Sequence, residues 1–168
     1  KMQMQTILLS AFSILSFLFM IIGRSGLRDA LRRLPSAHLF WYLPAFSALG
    51  VLLSKLFGGA ATVSLTLFAC VRILIFTPLF EEFVFRGGLL LCPRDLLRGK
   101  PHARLFAVLL LLLSAAAFAV VHAGAGQMLY AFCMGLCLGA AALREKSLWC
   151  SIAMHAVWNA LCILLQLI

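Results

Sequence analysis

Phe80-Glu81-Glu82-Phe83-Val84-Phe85-Arg86 sets two adjacent carboxylates and a guanidinium inside an apolar run, with Ile73-Leu74-Ile75-Phe76 before it and Leu89-Leu90-Leu91 after it. A charged side chain at that depth in a bilayer costs at least a few kcal/mol, so such a cluster needs partners or a water-filled cavity and marks a functional site by default. The surrounding chain fits that reading. Its 168 residues are 64% hydrophobic and 11% charged, against about 45–50% and about 25% for a soluble domain. Composition therefore predicts an integral membrane protein, an all-α polytopic transmembrane helical bundle forming a single domain over residues 1–168.

The formal net charge of +9 raises the question of nucleic acid. The basic residues stand beside hydrophobic segments, where membrane topology and anionic lipid account for them, so the bilayer is the expected partner and no nucleic acid is. Six cysteines are scattered through the apolar stretches without a CxxC pair; they read as small buried residues rather than a disulfide framework.

Spans of about 20 apolar residues cross a bilayer, and about six are visible: roughly 6–22, 39–57, 61–92, 104–122, 127–143 and 147–168. Charges follow the first run instead of preceding it, which predicts a retained helix rather than a removed leader. Arg24, Arg28, Arg32 and Arg33 follow the first span. Arg94, Arg98, Lys100 and Arg104 follow the third, and Arg144 and Lys146 the fifth, while the opposite side holds only Lys1 and Lys55. Basic loops stay cytoplasmic, so both termini are expected outside (N-out/C-out). The third segment is too long for one crossing. Residues 61–71 are expected to extend outward, with Arg72 snorkelling and Pro78 loosening the helix near Glu81. Gly135-x-x-x-Gly139 allows close helix approach, inside the bundle or in a dimer; a monomer or homodimer is expected.

Only Glu81 and Glu82 among the acidic residues fall inside a span, and His122 and His155 lie in or at the end of apolar helices. Glu82 and Arg86 are i, i+4 and can pair, as are His155 and Asn159, and Phe118 and His122. Glu81 points about 100° away from Glu82 and is free to face a cavity. The chemistry these groups could perform is hydrolysis. Glu81 with His122 would take a proton from water, and His155 and Asn159 would donate to the developing oxyanion. His-Glu-x-x-His, Gly-x-Ser-x-Gly and an intramembrane aspartate pair are all missing, which removes the usual zinc helix, serine elbow and aspartyl dyad. Glu81, His122 and His155 could instead hold zinc as a two-histidine, one-carboxylate site.

Glu81-Glu82-x-x-x-Arg86, Phe118-x-x-x-His122 and His155-x-x-x-Asn159 together resemble the signature of the CPBP family, the CAAX proteases and bacteriocin-processing (Abi) proteins, over about residues 73–160. The resemblance implies a membrane-embedded endopeptidase whose cavity opens to the cytosolic side. It implies that Glu81 and His122 activate water, that His155 and Asn159 form the oxyanion hole, and that Glu82, Arg86 and Phe118 support them. Family members are described both as metalloproteases and as metal-independent glutamate proteases; the metal-free route is favoured. Expected substrates are peptides or lipidated or membrane-anchored proteins, including CAAX tails, leader peptides and C-terminal sorting tails. A prokaryotic cytoplasmic membrane is the expected location. Competing readings are a non-catalytic immunity or scaffold protein and a small proton-coupled transporter. Counted from the basic loops, His122 lies on the order of 10 Å further out than Glu81 and His155, which predicts a fourth helix that starts early or tilts strongly.

Overall fold

The computed structural model describes residues 2–57 and 66–166. These form seven helices: α1 (Met2–Ile22), α2 (Arg24–Arg32), α3 (Leu39–Phe57), α4 (a continuous helical run over 67–96), α5 (Ala103–Val120), α6 (Ala125–Glu145) and α7 (Leu148–Leu165). Helices α1, α3, α5, α6 and α7 are each long and apolar enough to cross a membrane, and α4 supplies a sixth run of comparable length. The protein is a helical membrane bundle, as its composition predicts.

Segment α2 departs from the expectation of a plain loop. Arg24, Arg28 and Arg32 recur at helical spacing and lie mostly on the exposed side, while Ala30 is buried and packs with Leu27 and Leu31 against the core. An amphipathic pattern of this kind keeps a short helix at an interface. Residues 61–65 of the expected outward extension lie outside the described residues; Leu67–Val71 is helical, and Arg72 is exposed, as the snorkelling expectation requires.

Helix α4 is not a regular α-helix. Arg72–Phe76 and Phe83–Leu91 are wound as π turns on either side of a short α segment, Thr77–Glu82. Thr77 N–H bonds the Arg72 carbonyl, five residues back, and Cys92 N–H bonds that of Gly87. Such wide turns occur mostly at functional sites. Neighbouring hydroxyls reach the carbonyls of the second turn: Ser16 of α1 donates to Val84 O at 3.0 Å, and Ser114 of α5 to Phe85 O at 2.7 Å. Gly88 makes the α1 approach possible, because a Cβ there would stand 2.6 Å from Ser16 Cβ.

Helices α5 and α6 form the most extensive pair and pack on α4. Gly135 and Gly139 serve this contact inside the bundle: Gly135 faces Phe118, Arg86 and Ala115, and Gly139 faces Leu111 and Leu90. Gly124, at φ 84°, makes the turn from α5 into α6, a backbone conformation that L side chains rarely adopt. A core of Phe46, Met134, Leu138, Met154 and Trp158 joins α3, α6 and α7.

Candidate active site

The π turns and Pro78 shape the backbone on which the acidic pair sits. Pro78 has no N–H, so in the i→i+5 register of the preceding turn the Ile73 carbonyl has no helical donor. Asn159 Nδ2 on α7 donates to that carbonyl at 2.9 Å. The helix loosening expected around Pro78 is present as this π turn, with a side chain of the expected site bonded to its backbone.

Glu82 is fully buried and Glu81, one residue earlier, is 20% exposed. That difference decides which carboxylate can meet a substrate. Arg86 Nη1 stands 3.1 Å from Glu82 Oε1, and Arg86 Nη2 donates to Gly135 O at 3.3 Å. The guanidinium lies over the Phe118 ring, 4.4 Å from its centroid, within reach of a cation–π attraction. His155 Nδ1 approaches the same Glu82 oxygen at 2.9 Å, while its Nε2 faces Glu81 Oε2 at 3.7 Å. Glu82 thus holds both a cation and an imidazole, and Glu81 stays on the open side.

His122 lies in the turn just after α5. Its Nδ1 donates to Phe118 O at 2.7 Å, and its ring meets the Phe118 ring edge-on at 4.7 Å. With Nδ1–H committed, Nε2 carries the free lone pair. Helix α5 begins at Ala103, one residue before the Arg104 from which the depth of His122 is counted. The apparent depth gap narrows for another reason: α4 runs on to Leu96 rather than ending at Cys92, so Glu81 lies further from the basic end than the count assumed.

Glu81, His122, His155 and Asn159 line one cavity of about 200 Å³, with Phe118 also in its wall. Glu82 and Arg86 stand behind that wall. Among the described residues no group of three His, Cys, Asp or Glu side chains is arranged to hold a metal ion, so Glu81, His122 and His155 do not form an assembled ligand set. Two features escaped sequence reading. One is the Ile73 carbonyl, which no side-chain pattern announces. The other is Tyr130 of α6, which lines the cavity and whose buried hydroxyl finds no acceptor among the described residues. Trp158 packs beside it, with ring centroids 6.2 Å apart, but an indole N–H can only donate, and leaves the phenol proton without an acceptor.

A helical membrane protein with a buried Glu-Arg pair, a second carboxylate and two imidazoles around one cavity has the parts of a membrane-embedded hydrolase. The family model described as type II CAAX prenyl endopeptidase Rce1-like matches residues 62–161; the chain belongs to this family of CAAX-type intramembrane endopeptidases. No curated protein and no solved structure matches it.

Proposed function

We propose that the protein is a glutamic-type intramembrane endopeptidase that hydrolyses a peptide bond near the terminus or membrane anchor of a membrane-associated protein, in a prokaryotic cytoplasmic membrane. The observation that carries this reading is the convergence of Glu81, His122, His155 and Asn159 on one small cavity.

Glu81 takes a proton from a water molecule in the cavity, and the water oxygen adds to the scissile carbonyl. His122 Nε2, left free by the Nδ1 bond to Phe118 O, holds or passes that proton towards the departing amine. Collapse of the tetrahedral intermediate breaks the C–N bond and releases a carboxylate and an amine, so one water is consumed per cleavage. Donors for the oxyanion are the second N–H of Asn159, the imidazole of His155 and the Tyr130 hydroxyl. Preorganised donors of this kind are usually the largest single contribution to such catalysis. Glu82 orients His155, and Arg86 neutralises Glu82. No step is routed through a metal.

The test uses the purified protein in lipid nanodiscs with an internally quenched peptide ending in a farnesylated Cys-aliphatic-aliphatic-Met tail. Cleavage by the wild-type protein that survives strong chelators and is abolished in Glu81→Gln supports the proposal. Cleavage lost to chelation and restored by zinc contradicts the metal-free route, and undiminished cleavage by Glu81→Gln contradicts the role of Glu81.

A further inference from the structure

Four cations from three segments far apart in sequence meet in one depression, at the end of the bundle that carries the basic loops. Arg33, Arg94, Arg98 and Lys146 stand around it together with Asp29 and Asp95. Its floor is apolar and buried, at Ala30 and Leu91. Packing fixes its shape. Gly26 lets α2 lie against the end of α4, since a Cβ at that glycine would stand 2.7 Å from Asp95 Cβ. Ser25 Oγ donates to Asp95 Oδ2 at 3.3 Å. Ser147 Oγ and Trp149 Nε1 donate to Arg33 O and Leu31 O, which ties the end of α2 to the start of α7.

Membrane orientation accounts for basic residues in the cytoplasmic loops but not for their convergence. Like charges brought together repel, and among the described residues no ion pair joins any of the four cations to Asp29 or Asp95. Four cations against two carboxylates leave the lining with a surplus of two positive charges. Cations are favourable at helix C-termini, but Arg32 and Arg144 already occupy the last turns of α2 and α6. Lys146 has φ 51°, a left-handed backbone that glycine usually takes after a helix. A lysine there brings a cation to the depression where chain geometry alone favours no side chain.

We propose that this depression binds one phosphate group, supplied by the headgroup of an anionic lipid in the cytoplasmic leaflet. Its volume is about 80 Å³, the share of roughly two or three water molecules in the liquid, which admits a phosphate and excludes a nucleotide or a peptide. Guanidinium groups match phosphate oxygens with paired N–H donors. The height is also right for a lipid. Helix α6 has 21 residues and is therefore about 30 Å long, the thickness of the hydrocarbon core, so Lys146 just past its end lies at headgroup level. Basic pockets between membrane helices on the cytoplasmic side bind such headgroups. The bound lipid bridges α2, α4 and the turn into α7. Since α4 carries Glu81 and Glu82 and α7 carries His155 and Asn159, it braces the two helices that hold the acidic pair against His155. The binding site itself does not depend on the proteolytic reading.

Native mass spectrometry of the full chain, released from nanodiscs of mixed phosphatidylcholine and phosphatidylglycerol, counts the lipids it retains. The wild-type protein should keep one phosphatidylglycerol, with a preference over phosphatidylcholine of at least about tenfold. Arg98→Gln with Lys146→Gln should lose most of that preference. Arg24→Gln with Arg28→Gln removes the same charge from outside the depression and should keep it. Lys146→Gly, which relieves the left-handed backbone, should bind less while melting no lower than the wild type, so that weakened binding there is not a failure to fold. Equal losses in the two double variants overturn the proposal in favour of general attraction to an anionic leaflet. Millimolar inorganic phosphate that raises the wild-type melting midpoint in pure phosphatidylcholine nanodiscs, with no phosphatidylglycerol preference, keeps the phosphate site and overturns the lipid as its source. Neither a lipid preference nor a response to phosphate overturns the site altogether.

Discussion

Asn159 Nδ2 donates to the Ile73 carbonyl at 2.9 Å, joining α7 to the π turn of α4 that precedes Pro78. The same carboxamide lines the cavity, so its positioning and its chemistry are coupled. Removing it takes the side-chain donor from a part-buried acceptor, which costs up to about 1–3 kcal/mol. Asn159→Ala should therefore lower stability by about that amount as well as slow turnover. Adding Pro78→Ala restores an N–H that can reach Ile73 O. The double variant should regain stability without regaining activity. Denaturant unfolding in detergent, run beside a cleavage assay, separates the two effects.

Arg86 answers a carboxylate with no exposure to solvent. Truncating one partner of a buried ion pair strands the other, at about 3–5 kcal/mol. Arg86→Met should cost that much. The pair Glu82→Gln with Arg86→Met should recover a large part of it, because the stranded charge is gone. Turnover should stay low in the double variant, since Glu82 also holds His155 Nδ1. A thermal melt of the single and double variants in nanodiscs gives the comparison.

Tyr130 has a buried hydroxyl with no acceptor for its proton among the described residues, a state that costs free energy until a partner arrives. If a substrate carbonyl is that partner, Tyr130→Phe keeps the ring packing and removes one oxyanion donor. The expected result is a fall in kcat of about 100-fold with little change in KM, and an unfolding midpoint no lower than that of the wild type. An unchanged kcat, or a lowered midpoint, assigns the tyrosine to packing alone.

Patterns of side chains carried much of this architecture. The span expected over roughly 39–57 matches α3, which starts at Leu39 and is described through Phe57. The Glu82–Arg86 pair and the Phe118–His122 contact followed from helical spacing, and both are present. Backbone geometry was less legible. Nothing in Phe83–Leu91 distinguishes a π turn from an α turn, since the difference lies in which carbonyl each N–H selects. Two carbonyls of that segment accept from hydroxyls of α1 and α5, which are remote in sequence. The span expected over 61–92 ends at Cys92, yet the chain continues helically to Leu96, since proline is tolerated in a first helical turn. Tyr130 gave no signal because its meaning is a missing partner, which only packing reveals.

The central claim is that Glu81 activates water in a cavity that cuts a membrane-associated protein. Its most direct test is mass-spectrometric mapping of membrane-protein termini in cells carrying either the wild-type protein or Glu81→Gln at equal abundance. At least one membrane protein should keep an uncut terminus only in the variant. Identical termini in the two strains, with both proteins folded in the membrane, would contradict the account.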